Sequence, residues 1–291
     1  MTEAKRIALL GTGLIGGPMA KRLVQSGYPL TVYNRTISKT DSLKNAGATV
    51  AQSPKGAIES AECSILVLAD GAAINETLFS NDSEIDFADR TIIQMGTILP
   101  DESVAFMNKI AAGGGHYFES PVLGSIPQAT EGKLIVMVGA TPDQFEQWKN
   151  LLKCFGEEIH YIGEVGKAAA LKLALNQLIA SLTAAFSLSL GIVQRRQIEV
   201  NTFMEILRKS ALYAPTFDKK LQRMLDRDFS NPNFPTKHLL KDMSLIQNES
   251  KKLGLSTQVV DGIIDLIKIS LEKGLAETDY SAIYNAINPS S

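Results

Sequence analysis

Short apolar runs alternate with stretches of helical spacing through the first half of the chain. The apolar runs predict strands at residues 6–10, 30–33, 48–50, 64–69, 91–95, 117–118, 133–138 and 159–161. Helical spacing predicts helices at residues 15–26, 38–46, 54–60 and 142–155. The run at 64–69 is apolar almost throughout, as in a strand buried on both faces. This alternation predicts an α/β domain, a doubly wound parallel sheet with crossover helices.

The pattern changes near Gly166 and then stays helical. Residues 168–206 have helical spacing almost without a break. Further helices are predicted at residues 218–227, 238–253 and 258–273. The sequence therefore predicts two domains: an α/β domain at 1–165, and an all-α domain at 166–291 that opens with one long helix.

The first part of that long helix is apolar enough to raise the question of a membrane. Residues 173–193 carry no charge, although they include Asn176 and Gln177, and Lys172 directly precedes them. Such a stretch can span a bilayer, but it is also typical of the centre of a large soluble protein or oligomer. The N-terminal residues lack the pattern of a signal peptide. We therefore expect a buried helix, no membrane partner and a cytoplasmic protein.

Charge and cysteine content exclude several other classes of protein. The 29 Lys+Arg and 31 Asp+Glu residues leave a formal charge of −2, so no basic field favours a nucleic-acid partner. The two cysteines cannot build a disulfide framework, and we expect reduced thiols. The three histidines are scattered without ligand spacing, and no metal is predicted.

A glycine motif follows the first predicted strand and opens the first predicted helix. Gly11, Gly13 and Gly16 form G-x-G-x-x-G. In a dinucleotide site these glycines allow a tight turn, close approach of the backbone to the pyrophosphate, and close packing of helix on strand. The helix N-terminus then offers N–H groups to the phosphates. We predict a cofactor site here, with Leu14 and Ile15 of the same loop included.

The end of the second predicted strand indicates which cofactor is bound. An NAD enzyme places Asp or Glu there, whereas this chain has Asn34, followed by Arg35, Thr36 and Lys39. A carboxylate would repel a 2′-phosphate, and a guanidinium can bind it. The alternative is a set of solvated surface residues. The missing acid favours NADP(H).

Lys172 and Asn176 lie four residues apart at the start of the long helix, and therefore on one helix face. A lysine oriented by an amide could donate a proton to a carbonyl that receives hydride. On spacing alone, the more usual reading is a lysine that reaches solvent from a helix start.

Several segments together resemble the β-hydroxyacid dehydrogenase family. They are the glycine motif with Pro18, Met19 and Ala20, NRT at 34–36, ESPVLGS at 119–125, Lys172 with Asn176, and LLKD at 239–242. The resemblance covers the whole chain in order. It is strongest to the glyoxylate/succinic semialdehyde reductase branch of a family that contains 3-hydroxyisobutyrate dehydrogenase.

The resemblance implies a fold and a set of roles. The fold is an N-terminal Rossmann domain followed by an all-α domain of the 6-phosphogluconate dehydrogenase type, which also makes homodimer or homotetramer contacts. Lys172 matches the catalytic proton donor, and Asn176 matches its orienting neighbour. The remaining matches are Thr97 and Lys241 beside the cofactor, and Asp242 and Phe234 beside the substrate.

The substrate loop departs from the family pattern. Many members read PVSGG or PVSGS, whereas this chain has Val122, Leu123, Gly124 and Ser125, with leucine at the serine position. Backbone N–H groups at Gly124 and Ser125 can still bind a substrate carboxylate.

These matches imply NADPH-dependent reduction of a small aldehyde acid, such as glyoxylate or succinic semialdehyde. An NAD-dependent 3-hydroxyisobutyrate dehydrogenase is the main alternative. Lys172 argues against an imine reductase, and both Lys172 and the neutral charge argue against a chromatin-associated non-enzymatic module.

Overall fold

The computed structural model of the chain describes residues 5–80 and 84–290. It divides into two compact units, Met1–Lys172 and Leu173–Ser291. The predicted boundary lies at residues 165 and 166, so the two divisions differ by the opening turns of the helix that begins at Lys167.

The first unit is built on a nine-stranded sheet. Its strands are β1 (Ile7–Leu10), β2 (Leu30–Tyr33), β3 (Thr49–Val50), β4 (Cys63–Leu66), β5 (Thr91–Gln94), β6 (His116–Glu119), β7 (Val122–Leu123), β8 (Ile135–Gly139) and β9 (Ile159–Gly163). The strand order is β3-β2-β1-β4-β5-β6-β8-β7, and β9 pairs with β8. Strands β1 to β6 are parallel, so their carboxyl ends meet at one edge of the sheet.

Helices cover both faces of this sheet. They are α1 (Gly16–Gln25), α2 (Asp41–Asn45), α3 (Pro54–Glu59), α4 (Gly71–Phe79), α5 (Pro100–Ala112), α6 (Ile126–Glu131) and α7 (Pro142–Leu152), with a 3₁₀ helix at Ile37–Thr40. Along β1, Ile7 and Leu9 lie in one apolar core, while Ala8 and Leu10 lie in the other. Alternate residues of a strand point to opposite faces, so the sheet is buried on both sides. The predicted α/β fold is confirmed.

The sheet is not wholly parallel, which corrects one detail of the prediction. Strand β8 runs antiparallel to β6, where Glu119 pairs with Gly139, and also antiparallel to β7. The run at 133–138 identified a strand, but an apolar run carries no information about strand direction.

Three helices of the first unit, α4, α5 and α6, were not predicted. Their interiors lack strong apolar periodicity, but all three have recognisable starts, as α4 and α5 illustrate. The Asp70 side chain accepts a hydrogen bond from the Ala73 N–H at 2.8 Å, which caps α4. Pro100 opens α5, and the Glu102 side chain accepts from the Leu99 N–H at 2.9 Å. Both are ordinary signals of a helix N-terminus.

The second unit is helical, as predicted. Its elements are α8 (Lys167–Arg195), which begins within the first unit, α9 (Val200–Arg208), α10 (Pro215–Asp226), α11 (Thr236–Lys252), α12 (Gln258–Glu272), a 3₁₀ helix at Tyr280–Ile283, and α13 (Tyr284–Ile287). Phe186, Phe217 and Tyr284 lie in its core. The run expected at 168–206 divides after Arg195, where Gln197 has a φ of +56° and ends the helix.

Helix α8 is less buried within the chain than the sequence indicated. It is long and apolar enough to cross a membrane, and the core helices of soluble proteins can be equally long and apolar. Of its most apolar 18-residue window, 39% is buried. Leu178, Leu188 and Ile192 are all more than half exposed. The chain alone therefore leaves part of this apolar helix uncovered.

Candidate active site

The glycine-rich loop follows β1 at the carboxyl edge of the sheet. Gly11 has a φ of +98°, and a Cβ there would overlap the Val67 carbonyl oxygen. A Cβ on Gly16 would overlap the carbonyl oxygen of Gly11. A Cβ on Gly13 would meet no described protein atom within 4 Å. The fold itself therefore requires glycine at positions 11 and 16, whereas the space beside Gly13 lets a ligand approach the backbone.

The N-terminus of α1 faces this loop without a side-chain cap. Ile15 is the N-cap residue, its side chain makes no capping hydrogen bond, and the first turn contains no acidic residue. Leu14 is 45% exposed, while Ile15 packs against the core of the first unit. The first N–H groups of a helix carry partial positive charge and attract anions. The loop and helix therefore fit a dinucleotide pyrophosphate.

Asn34 has a structural task that the sequence did not reveal. Its side-chain oxygen accepts a hydrogen bond from the Thr12 N–H at 3.1 Å, and its amide donates to the Thr36 carbonyl at 2.9 Å. The Thr12 hydroxyl also donates to the Lys39 carbonyl at 3.2 Å. The glycine-rich loop and the turn after β2 are thus joined by the Asn34 amide and by the Thr12 hydroxyl.

Three other predicted cofactor residues lie on that turn. Arg35, Thr36 and Lys39 are exposed beside Asn34, and no carboxylate occupies positions 34 to 39. Thr97, which was predicted to contact the cofactor, is half-buried just after β5. The carboxyl ends of β1, β2 and β5 therefore bring these predicted residues to one edge of the sheet, where open α/β sheets bind ligands.

The predicted substrate loop contains β7 and the start of α6. Val122 and Leu123 pair with Val136 and Ile135 of β8. Gly124 has a φ of +143°. The Ser125 N–H and hydroxyl both donate to Gln128 Oε1, at 3.0 and 2.8 Å.

Ser125 is therefore the N-cap residue of α6, and its N–H is bound by the Gln128 side chain. Its N–H would have to leave Gln128 before it could bind a substrate carboxylate, so the anion-binding role of Ser125 stays a prediction.

Glu119, at the end of β6, is a buried carboxylate that sequence reasoning did not select. It is 1% exposed, and its Oε1 accepts hydrogen bonds from the N–H groups of Gly166 and Ala169, at 2.8 and 2.9 Å. Burial raises the pKa of Glu119, and hydrogen bonds from the Ser103 hydroxyl and from backbone N–H groups oppose that rise. Its sequence signal is the ESP triplet at 119–121, which is part of the longer segment ESPVLGS.

Lys172, the predicted proton donor, lies in the second turn of α8 and is the last residue of the first unit. It is 9% exposed. A lysine is seldom so buried unless its ammonium is paired. This placement disagrees with the alternative of a lysine that simply reaches solvent.

In the second unit, two predicted site residues are in direct contact. Asn176 Nδ2 donates to Asp242 Oδ2 at 2.7 Å, and both side chains are buried. Asn176 Oδ1 is buried without a hydrogen-bond partner among the described residues. Lys241 Nζ lies 2.8 Å from Asp242 Oδ1. Asp242 therefore orients the Asn176 amide and leaves its oxygen as the acceptor.

Phe234 is half-buried just before α11. Its ring stacks on His238, with 6.4 Å between centroids, and meets Tyr280 edge-on at 5.7 Å. Burial and the charges of Lys237 and Lys241 lower the pKa of His238. Phe234 thus belongs to an aromatic cluster of the second unit, and its contact with substrate stays a prediction.

Two family models match the chain, one in each half. The NAD binding domain of 6-phosphogluconate dehydrogenase matches residues 6–163. The NAD-binding domain of NADP-dependent 3-hydroxyisobutyrate dehydrogenase matches residues 166–287. The first match alone covers more than half of the chain.

Relatives and solved structures agree with these models. The chain is 30% identical to glyoxylate/succinic semialdehyde reductases 1 and 2 of Arabidopsis thaliana over 283 residues, which is 97% of this chain and 98% and 79% of those proteins. Its fold matches a 3-hydroxyisobutyrate dehydrogenase of Mycobacterium tuberculosis with a TM-score of 0.88 at 19% identity, covering 98% of this chain and 99% of that one. The chain therefore belongs to the β-hydroxyacid dehydrogenase family of 3-hydroxyisobutyrate dehydrogenase-like proteins, and it is an NAD(P)-dependent oxidoreductase of hydroxy acids.

Proposed function

We propose that the protein reduces a small aldehyde acid, glyoxylate or succinic semialdehyde, to the hydroxy acid with NADPH, and that Lys172 donates the proton. The observation that carries this proposal is the burial of Lys172 in the opening turns of α8, at the position that matches the catalytic lysine of the family. The plant relatives support the substrate class, since they are named as reductases of these two aldehydes.

Several residues of the chain would each have a separate role in this reduction. Bound NADPH would supply the hydride that the aldehyde carbon accepts. The Lys172 ammonium gives a proton to the aldehyde oxygen, so that the product is a neutral hydroxyl. Asn176, one helical turn later and held by Asp242, offers its oxygen to the ammonium or to the new hydroxyl. Lys241 and Thr97 would contact the cofactor, and Phe234 would wall the substrate.

The preference for NADPH rests on the turn after β2. Arg35 and Lys39 are exposed there, so a 2′-phosphate can reach both side chains. Asn34 supplies no negative charge. Charge-assisted bonds from a guanidinium to a phosphate are among the strongest hydrogen bonds in proteins.

The substrate carboxylate would bind at residues 122–125. Leu123 replaces a hydroxyl with an apolar side chain, so this loop would recognise the carboxylate through backbone N–H groups. We expect this difference to affect which aldehyde acid is preferred and to leave the reaction class unchanged.

Replacement of the lysine tests the proposal directly. Lys172→Ala should lower kcat by about 10²–10⁴-fold, the usual contribution of a general acid, while the NADPH dissociation constant stays the same. Stopped-flow turnover and fluorescence titration measure the two quantities. Full turnover by this variant would remove Lys172 from the mechanism.

A substrate and cofactor screen tests the rest. Glyoxylate, succinic semialdehyde and methylmalonate semialdehyde are each assayed with NADPH and with NADH. Highest kcat/KM with NADPH and one of the first two aldehydes is expected. A preference for NADH with methylmalonate semialdehyde would instead identify an NAD-dependent 3-hydroxyisobutyrate dehydrogenase.

We also propose that the second unit forms a homodimer or homotetramer. Leu188 and Ile192, one turn apart on α8, are each 56% exposed. Neighbouring exposed apolar side chains on one helix face are typical of protein–protein interfaces. Leu188→Glu should shift the mass measured by light scattering toward the monomer, whereas Lys55→Glu in the first unit should not.

A further inference from the structure

The start of α8 is capped by a residue that is distant in the sequence. Glu119 Oε1 accepts hydrogen bonds from the N–H groups of Gly166 and Ala169, which lie 47 and 50 residues further along the chain. The first N–H groups of a helix have no partner inside the helix. They also carry the positive end of the helix dipole, so a carboxylate is a favourable cap.

The structure makes room for this carboxylate. Gly139 is the register partner of Glu119 across β6 and β8. A Cβ at position 139 would lie 2.6 Å from Glu119 Oε1. Gly166, at the other end of the contact, has a φ of +100°. The carboxylate is therefore enclosed by the sheet on one side and by the helix start on the other.

We infer that Glu119 is a positioning residue, which joins the first turn of α8 to the end of β6 and thereby sets the location of the Lys172 ammonium. This inference rests on the proposed role of Lys172. Ala169 and Lys172 lie three positions apart, or about 4.5 Å along a helix. A shift at the first turn is therefore transmitted to Lys172, and a misplacement of about 1 Å can lower a rate by about 100-fold.

A positioning role predicts which of two Glu119 variants, Glu119→Gln or Glu119→Asp, is the more active. Both hydrogen bonds converge on a single oxygen, Oε1. The carboxamide oxygen of Glu119→Gln can accept both, although the side chain is uncharged. Glu119→Asp keeps the charge but is one methylene shorter, so its oxygen cannot reach both N–H groups. Positioning therefore predicts that the Gln variant is the more active, whereas a proton-carrying role predicts the reverse.

The experiment compares the two variants with the parent protein. Glu119→Asp should lower kcat by about 10- to 100-fold, and Glu119→Gln by less than about threefold. KM and the NADPH dissociation constant should change little in both, because the defect lies in the chemical step. Hydrogen–deuterium exchange at the N–H groups of residues 166 and 169 should become faster in the Asp variant only.

A matched control separates this effect from a general loss of stability. Glu102 caps the neighbouring helix α5 through the Leu99 N–H, in the same unit. Glu102→Asp removes one methylene from that side chain, as Glu119→Asp does at position 119, and it should leave kcat unchanged.

Either of two kinetic results would overturn the inference: kcat at the parental value in Glu119→Asp, or a greater loss of kcat in Glu119→Gln than in Glu119→Asp. Unchanged exchange at residues 166 and 169 in the Asp variant would also do so. Full activity of Lys172→Ala would contradict the proposed function instead, and the exchange measurement would still decide whether Glu119 anchors the helix.

Discussion

The two units hold their candidate site groups by different means. In the first unit, the nucleotide loop is shaped by backbone geometry, since Gly11 and Gly16 have no room for a Cβ and the N-terminus of α1 has no side-chain cap. In the second unit, polar side chains hold one another. Asn176 of the candidate site is bound by Asp242, and elsewhere in the unit Lys220 is bound by Asp279; all four side chains are buried.

The difference determines which substitutions each unit tolerates. A site made of backbone is insensitive to most side-chain changes and fails only where an added atom has no room. A site made of buried polar pairs fails when either partner is lost, because the remaining group is left without water or a hydrogen bond. The two units should therefore respond differently to equally small changes.

The largest effect is expected at the buried ion pair of the second unit. Lys220 Nζ lies 2.8 and 2.9 Å from the two carboxylate oxygens of Asp279. Lys220→Met leaves that carboxylate buried without its cation and should lower the free energy of unfolding by about 3–5 kcal/mol. Urea denaturation measures the change.

A double variant sharpens this test. Lys220→Met with Asp279→Asn removes both charges and should recover part of the loss, since the uncompensated charge is gone. If the double variant is as unstable as the sum of the two single variants, the pair is not coupled.

The next largest effect is expected at the glycine-rich loop. The added Cβ in Gly16→Ala would overlap the Gly11 carbonyl oxygen and lie 3.2 Å from Val67 Cβ. Relief of this overlap must move the loop, so the NADPH dissociation constant should rise by about 100-fold, within the range of overpacking costs. Isothermal titration calorimetry provides the value.

Gly17→Ala is the matched control for this change. Its Cβ would lie 3.5 Å from the Thr12 carbonyl oxygen, an ordinary contact. A much smaller loss of affinity is expected. Equal losses at the two positions would mean that helix propensity, and not the close approach at Gly16, governs binding.

A smaller effect, on cofactor preference, is expected at Asn34, whose side chain binds the glycine-rich loop through the Thr12 N–H. Asn34→Asp introduces a negative charge near the proposed 2′-phosphate and removes the donor to the Thr36 carbonyl. The ratio of kcat/KM for NADPH over NADH should fall by about tenfold, or about 1.4 kcal/mol. Steady-state kinetics with both cofactors test this, and an unchanged ratio would contradict the cofactor assignment.

The smallest effect is a pH dependence in the second unit. Burial, with Lys237 and Lys241, lowers the pKa of His238 below 6.5. As the pH falls through 6.5, the unfolded chain binds a proton that the folded chain does not, so the free energy of unfolding decreases. His238→Gln should flatten this part of the stability profile, and identical profiles would show that His238 does not contribute.

The same difference between the units explains how much could be predicted from the sequence. Gly11 and Gly16 were identified because a backbone requirement limits each position to one residue type. Lys172 was predicted as the proton donor through the family resemblance, since its spacing alone favoured a lysine that reaches solvent. The pair Lys220–Asp279 was missed, since its members are 59 residues apart and neither is unusual in the sequence.

Some helices are marked in the sequence by their first residues and not by apolar periodicity. Asp70 and Pro100 mark the starts of α4 and α5, whose apolar residues do not show clear helical spacing. The contact between Asn34 and Thr12 and the cap on α8 depend on which strand ends lie side by side. Only the three-dimensional arrangement of the sheet supplies that information.

The contact between Glu119 and Gly139 has a consequence for the divergence of related chains. Because any side chain at position 139 would occupy the space of the Glu119 carboxylate, the two positions cannot vary independently. The constraint acts in one direction, since a side chain at position 139 becomes acceptable only after a smaller residue replaces Glu119. Related chains that keep glutamate at position 119 should therefore also keep glycine at position 139.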